Sequence, residues 1–440
     1  MMRRQKRVMA MIVGWAVLAT PAVGQLLPRG SIGSSPVGAL TGGLLGQNDP
    51  GRTPLALGGL TGGLDAVGGS LRSLSPADLL AARRDRLRSL IRDNRAVLDR
   101  DGDGNPIRRD EIIATAPSPA TLAKAEQQGF SVKRREMVET LGLDIVVLAP
   151  PHDLAVRDAI NRLHMLDPQG EFALNHVYEP AFAALQPATG TSASGSAGTV
   201  SMGLIDGGVG AHPAFASATV EQRGFAGAVK PSGHGTAVAS LMVGRAGTFH
   251  GVAPGSTLLA ADVFGGSEAN GSAEAIVQAM GWLASRGVRV INISLVGAPN
   301  PLLAAAIRAL QSRDVLVVAA VGNDGPAAPP QYPASYPGVI AVTGVDTRGK
   351  VLIEAGRASH LDFAAPGAEM AGAVPGGRWE TLRGTSFAAP LVAASLAMID
   401  KGDPRRAVTE LAATAKPAPK LGHGIVCGSC ATPPRAVGLK

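Results

Sequence analysis

Uniformly apolar strand-like runs, separated by helical stretches, most constrain the fold of the chain beyond residue 200. The strand-like runs are 200–205, 258–263, 288–293, 315–321 and 339–342, and the predicted helices are 236–244, 273–285, 302–311 and 386–399. Strands covered on both faces lose the polar alternation of half-exposed strands, which is typical of parallel sheets. We therefore predict an α/β fold with three layers, a mostly parallel sheet with helices on both faces. Functional side chains should gather at the carboxyl ends of its strands.

The N-terminus has the pattern of an export signal. Basic residues Arg3, Arg4, Lys6 and Arg7 precede an apolar run over 8–19, and small residues follow it. The apolar run is short for a membrane span, although a retained N-terminal anchor is the alternative. We expect an exported protein that is periplasmic, cell-surface or secreted, with no stable membrane span once the signal is removed.

The 440 residues suffice for one large domain and a smaller companion. The predicted organisation is a signal peptide (1–25), a Gly-rich low-complexity linker (26–75), a small α+β domain (76–185), an exposed linker (186–198), a large α/β domain (199–430) and a C-terminal tail (431–440).

The small domain shows a compact order of elements. An amphipathic helix runs from 76 to about 99, and the chain then alternates strand and helix. The predicted strands are 111–115, 130–138, 143–148 and 172–178, and the predicted helices are 118–128 and 153–166. This β-α-β-β-α-β order predicts a ferredoxin-like unit.

Charge and aromatic content argue against a nucleic-acid partner. The net charge is +7, yet residues 198–430 carry 17 Lys and Arg against 15 Asp and Glu, so the large domain is almost neutral. Aromatic residues make up 3% of the chain, too few for base-stacking platforms. We predict no nucleic-acid binding.

The two cysteines, Cys427 and Cys430, leave three chemistries open. In an oxidising compartment they can close a small disulfide loop, and otherwise they remain free thiols. Together with His423 they form a three-ligand zinc set that lacks a fourth ligand.

A stretch at 99–104 matches the first half of a calcium loop. The second half fails because Pro106 replaces an apolar strand residue and Asp110 replaces the final Glu, which favours a solvated turn. We predict no cofactor and no metal site, and calcium stays open.

Four polar residues stand at predicted strand ends or helix starts. Each has an ordinary structural explanation, as a turn residue, a structural histidine or a helix cap. They are Asp206 in Gly203-Leu-Ile-Asp, His234 in Ser232-Gly-His-Gly-Thr, Asn323 in Ala320-Val-Gly-Asn and Ser386 in Gly384-Thr-Ser-Phe-Ala-Ala-Pro. Together they supply what amide hydrolysis requires: an orienting acid, a base, an oxyanion donor and a nucleophile.

In these motifs the sequence resembles the subtilisin family of serine proteases, whose catalytic residues follow the chain order Asp, His, Ser. The resemblance covers roughly 198–426. It extends to Gly251-Val-Ala-Pro-Gly, Asn292-Ile-Ser-Leu, Tyr332-Pro-Ala-Ser-Tyr-Pro and Ala365-Pro-Gly.

The resemblance implies a serine endopeptidase with Asp206, His234 and Ser386 as catalytic triad and Asn323 in the oxyanion hole. It also implies a substrate-binding edge and an opposite pocket wall. The edge is Ser294, Leu295, Val296 and Gly297, and the wall contains Ala319, Ala320 and Gly322.

Two positions depart from the family pattern. Gly207 follows Asp206 where Ser or Thr is usual, so weaker orientation of the carboxylate is expected. Val296 stands where many relatives have Gly, which predicts a narrow pocket for small or medium apolar side chains.

By the same resemblance, residues 76–185 are a propeptide that acts as intramolecular chaperone and inhibitor. We expect an exported protease of protein or peptide substrates that removes its own prosegment. Two alternatives remain: a non-catalytic peptide-binding protein on a protease fold, and a processing protease or acyl transferase for a dedicated partner.

Overall fold

The computed structural model describes residues 74–181, 187–189, 200–428 and 430–439. The predicted signal peptide, nearly all of the Gly-rich linker and most of the second linker lie outside the described residues. The helices are α1 (Pro76–Asp93), α2 (Pro119–Gln127), α3 (Val156–Leu166), α4 (Gly233–Val243), α5 (Ala273–Ser285), α6 (Pro301–Gln311), α7 (Thr385–Ile399) and α8 (Pro404–Thr414). None of the helices described here has the length and apolarity that a bilayer crossing requires.

The described residues also form nineteen β-strands of two to ten residues. The first seven are β1 (Leu98–Arg100), β2 (Pro106–Thr115), β3 (Ser131–Val138), β4 (Leu143–Ala149), β5 (Glu171–His176), β6 (Glu179–Pro180) and β7 (Pro187–Thr189). The next seven are β8 (Ser201–Asp206), β9 (Thr219–Gly224), β10 (Arg245–Ala246), β11 (Phe249–His250), β12 (Thr257–Asp262), β13 (Val290–Ile293) and β14 (Leu295–Val296). The last five are β15 (Leu316–Ala320), β16 (Ile340–Val345), β17 (Phe363–Pro366), β18 (Ala368–Val374) and β19 (Arg378–Arg383).

The N-terminal part forms an antiparallel sheet in the order β5-β2-β4-β3, and β1 pairs with the start of β2. Helices α2 and α3 cover one face through an apolar cluster that includes Phe130, Leu148 and Leu163. Helix α1 ends at Asp93, several residues earlier than the sequence predicts, because the chain turns there and Leu98 enters β1.

The large domain contains a seven-stranded parallel sheet in the order β17-β16-β15-β13-β8-β12-β9. Adjacent residues of β8 point to opposite layers: Ile205 packs in the cluster of α5 and α6, and Leu204 in that of α4 and α7. The predicted three-layer α/β fold is therefore confirmed. Strands β9 and β17 were not predicted, since β9 is half-exposed and polar and β17 is short and ends in proline.

The N-terminal sheet presents its second face to α5 and α6 of the large domain. Ile113, Val138, Leu141 and Tyr178 belong to the same apolar cluster as these two helices. Val138 lies directly over Gly281, where a Cβ atom would clash with its methyl group. The two parts thus share one continuous core.

Both segments predicted to be peripheral contribute structure. Residues 187–189, inside the predicted linker 186–198, form β7 and pair with β19. In the predicted tail, Ala371 N–H donates to Thr432 O, and Leu439 is buried in the cluster of Trp379. Cys427 and Cys430 form a disulfide.

Candidate active site

Three of the predicted residues meet at the carboxyl edge of the parallel sheet. Asp206 is the last residue of β8, His234 is the second residue of α4, and Ser386 is the second residue of α7. The His234 Nδ1 atom lies 2.9 Å from each carboxylate oxygen of Asp206, which is fully buried. A buried carboxylate at this distance holds the ring with its proton on Nδ1 and leaves Nε2 as the basic atom.

Gly207 orients the Asp206 carboxylate through its backbone. Its N–H donates to Asp206 Oδ1 at 2.7 Å. A Cβ atom at Gly207 would clash with Ser232, whose hydroxyl caps α4 by accepting from Gly235 N–H. Glycine therefore suits position 207, because Ser232 fills the space that a side chain there would take.

Ser386 lies where α7 begins, and its surroundings fix its backbone. Gly384, in the N-cap position, has φ +143°, a conformation that favours glycine. The Ser294 hydroxyl donates to Ser386 O at 2.9 Å and accepts from Asn292 Nδ2 at 2.9 Å. Backbone N–H groups at a helix start carry partial positive charge and stabilise an oxyanion.

The Ser386 hydroxyl is hydrogen-bonded to the carbonyl oxygen of Ala181 and not to His234. His234 Nε2 is buried and has no hydrogen-bond partner among the described residues. The Ser386 hydroxyl thus faces a peptide carbonyl of its own chain, and the His234 Nε2 atom, which has no partner in the described structure, can accept a proton.

Asn323 follows β15 and reaches the start of α7. Its Oδ1 atom accepts from Thr385 N–H at 2.9 Å. This bond orients the amide with its oxygen on α7 and its Nδ2 donors on the other side. An amide so placed suits the oxyanion role expected from the sequence.

The predicted substrate-binding edge is paired in the structure. Strand β14 pairs antiparallel with β6, with Leu295 opposite Pro180 and Val296 opposite Glu179. Ala181 N–H then donates to Ser294 O at 3.0 Å. Residues 179–181 therefore occupy the cleft as an added strand.

The predicted pocket wall lies close to the opposite side of the pocket, so the space between them is small. Gly322 has φ +88°, and a Cβ atom there would lie 3.2 Å from Val296 Cγ1 and 3.3 Å from Gln331 Cγ. Ala319 and Ala320 are fully buried in β15 behind it. Beside this wall the seated strand presents Ala181, whose side chain is a single methyl group.

Tyr178 fills a second position of the cleft. Its ring packs where a Cβ atom of Gly297 would stand, and its hydroxyl donates to Ala298 O at 2.6 Å. Complete burial raises the pKa of this phenol well above its ordinary value, so it remains a neutral donor. This explains why glycine suits position 297.

Residues 198–421 match the model of the subtilase family. The chain belongs to the subtilase family. It is thus a serine endopeptidase of the subtilisin type, as its sequence motifs predict.

Known relatives and solved structures are similar to this subtilase over about half of the chain or more. Subtilisin Savinase of Lederbergia lenta is 36% identical over 216 residues, which are 47% of this chain and 77% of that protein. The alkaline protease of Alkalihalobacillus alcalophilus is also 36% identical over 47% of this chain, but over 55% of its own length. Fervidolysin from Fervidobacterium pennivorans, a keratinolytic enzyme related to subtilisin, has the same fold, with a TM-score of 0.61 and 20% identity over 76% of this chain and 61% of its own.

The sequence alone assigned no role to three residues of this site. Asn292 reads as one polar residue in a buried strand, yet it holds the Ser294 hydroxyl. Gln331 lies beside Gly322 in the loop that connects β15 and β16. Ala181 carries no local signal, since only the pairing of the preceding strand β6 with β14 brings it to Ser386.

Proposed function

We propose that this subtilase is an exported protease that hydrolyses peptide bonds through Asp206, His234 and Ser386 and cuts its own prosegment. We place that cut at the bond between Ala181 and Phe182, four residues before the domain boundary predicted from the sequence.

One observation carries the proposal: the contact between the Ser386 hydroxyl and the carbonyl group of Ala181. The strand that carries this carbonyl pairs through its backbone with β14. The side chain of Tyr178, just before this strand, anchors it by a hydrogen bond to Ala298 O. Main-chain bonds that hold a peptide carbonyl beside the hydroxyl support the positioning that acyl transfer requires.

The proposed chemistry follows from the positions of the four residues. Ser386 Oγ forms a bond to the carbonyl carbon, and His234 Nε2 takes the hydroxyl proton while Asp206 holds the ring. The oxyanion is stabilised by Asn323 and by the N–H at the start of α7. The bond to the following nitrogen then breaks, His234 returns the proton to the leaving amine, and water releases the acyl group.

Inhibition by the prosegment is part of the proposal. Its last strand lies in the cleft, and its sheet shares an apolar core with α5 and α6. Arg134 of β3 adds charged hydrogen bonds to Glu111 in the prosegment and Glu274 in α5. These contacts support retention of the prosegment after the cut.

Export is supported by the signal-like N-terminus and by the disulfide between Cys427 and Cys430. Disulfides persist mainly in oxidising compartments outside the cytosol.

The test follows the intact mass of the full chain over time beside its Ser386→Ala variant. We expect the wild type to yield a fragment that begins at Phe182 and the variant to stay whole at that bond. Ser395→Ala is the matched control, since it removes a hydroxyl from the same helix away from the cleft. A wild-type chain that stays whole would favour the non-catalytic peptide-binding alternative.

A further inference from the structure

Asp324 is neutralised in this structure by two arginines of α1. Arg83 Nε lies 3.0 Å from Asp324 Oδ2, and Arg86 Nη2 lies 2.8 Å from Asp324 Oδ1. Asp324 is 5% exposed under this cover, and Leu79 of α1 packs on the neighbouring Gly325. In the part of the chain that the structure describes, both ion-pair partners of Asp324 belong to α1.

Removal of the prosegment would remove both of these cations. Helix α1 lies within residues 76–185, whereas Asp324 lies in the large domain directly after the oxyanion residue Asn323. A carboxylate that loses two guanidinium partners at the edge of a cleft gains a strong preference for another cation. The processed enzyme would therefore expose an acidic group beside its own catalytic centre.

The position of Arg86 indicates which substrate residue would reach that group. Its guanidinium bridges Asp324 and the carboxylate of Glu179, with Nε at 2.9 Å from Glu179 Oε2. Glu179 is the third residue before the bond proposed to be cut, and it pairs with Val296. An arginine side chain places its charged group about two bonds farther from the backbone than a glutamate does. An arginine at that strand position would thus bring its guanidinium to the site that Arg86 fills.

We propose that Asp324 is a cation-binding subsite that selects Arg or Lys as the third residue before the scissile bond of substrates. This inference rests on the proposed function, since it requires departure of α1. The prosegment carries the opposite charge at this position, and Arg86 makes that glutamate acceptable. Helix α1 and Glu179 leave together with the cut prosegment, so Asp324 then faces substrates without either arginine.

The experiment uses the full chain with Arg83 and Arg86 both replaced by glutamine. In this background, three forms of position 179 are made: the unchanged Glu179, Glu179→Gln and Glu179→Arg. Each of the three is combined either with the unchanged Asp324 or with Asp324→Asn, which gives six chains. The rate of cutting after Ala181 is followed by intact mass. With Asp324 we expect the Glu179→Arg chain to be cut roughly fivefold faster than the Glu179→Gln chain and the unchanged Glu179 chain to be slowest, because a charged hydrogen-bonded pair holds the strand in place. With Asp324→Asn the three rates should converge.

A second readout does not depend on catalysis. The same six chains, each also carrying Ser386→Ala, are compared by thermal unfolding. We expect Glu179→Arg to raise Tm by about 1–2 °C over Glu179→Gln with Asp324 and by nothing with Asp324→Asn. Glu410→Gln is the charge-matched control, since Glu410 is a partly exposed residue of α8 that pairs with Arg406.

The outcomes separate the two proposals. Equal rates and equal Tm values for Glu179→Arg and Glu179→Gln with Asp324 would overturn the subsite, and so would an arginine preference that survives Asp324→Asn. If adding Glu410→Gln to the chains with Asp324 abolished the preference for Arg over Gln at position 179, the preference would be due to net charge, and the subsite would also be overturned. If no chain is cut, the proposed function fails, and the Tm comparison still decides the subsite.

Discussion

Val296→Gly should widen the pocket for the residue before the cut bond. Val296 Cγ1 lies 3.2 Å from the place that a Cβ atom on Gly322 would take, so the two walls leave little space between them. Forcing a phenyl ring into this space costs about 1–3 kcal/mol as overpacking. Removing the side chain relieves this cost and permits burial of the ring, which contributes about 1.5–3 kcal/mol. The two terms sum to about 2.5–6 kcal/mol, which predicts a rise of roughly seventyfold or more in the preference for Phe over Ala.

The assay compares kcat/KM for two peptides that differ only in Phe or Ala before the cut, in each enzyme, so that errors in enzyme concentration cancel. Val296 is buried, and its loss should also lower the free energy of unfolding by about 2 kcal/mol. Val345→Ala serves as control because it truncates a buried valine in a different cluster. An unchanged Phe to Ala ratio in Val296→Gly would refute the assignment of Val296 to the pocket wall.

Two further predictions concern glycine 207 and acid stability. Gly207→Ser should lower kcat at least tenfold, because its side chain collides with Ser232 and displaces Asp206; adding Ser232→Gly should recover most of that loss, and no recovery would contradict the explanation. Burial raises the pKa of Asp101, but hydrogen bonds from His176 and Asn105 outweigh it and lower the pKa to about 2. Because the folded pKa is lower than the unfolded value near 4, this stabilisation is complete above about pH 4 and is lost as the pH falls toward 2. Thermal unfolding of the Ser386→Ala chain across this range should show the loss, and Asp101→Asn should flatten it; identical acid limbs would contradict the role of Asp101.

The sequence predicted the central layers well because their signal is local. Helix α5 was predicted with the bounds that it has, since its apolar residues recur within one segment. Strand β9 was missed because it lies at a sheet edge and is polar, so its pairing with β12 leaves no apolar signature.

The candidate site was predictable where motifs carry it and not where distant contacts do. Asp206, His234 and Ser386 each stand in a recognisable motif, and α4 and α7 begin close to where the pattern predicts. The environment of Asp324 was out of reach, since Asn-Asp-Gly reads as a turn and its arginine partners lie 238 and 241 residues away. Ionic contacts over such separations have no periodicity that a single sequence reveals.

The sheet topology also dictates an order of events during synthesis. Strand β8 pairs with β12 and with β13, so the centre of the parallel sheet cannot close until the chain has grown to about Ile293. The antiparallel sheet that precedes it pairs entirely within residues 98–176. All strands of the small sheet are therefore already on the growing chain while β13 is still unmade, and pairings close in sequence tend to form first. When α5 emerges from the ribosome, every strand of the surface that receives Gly281 has been made, and Gly281 then joins the core that the two parts share.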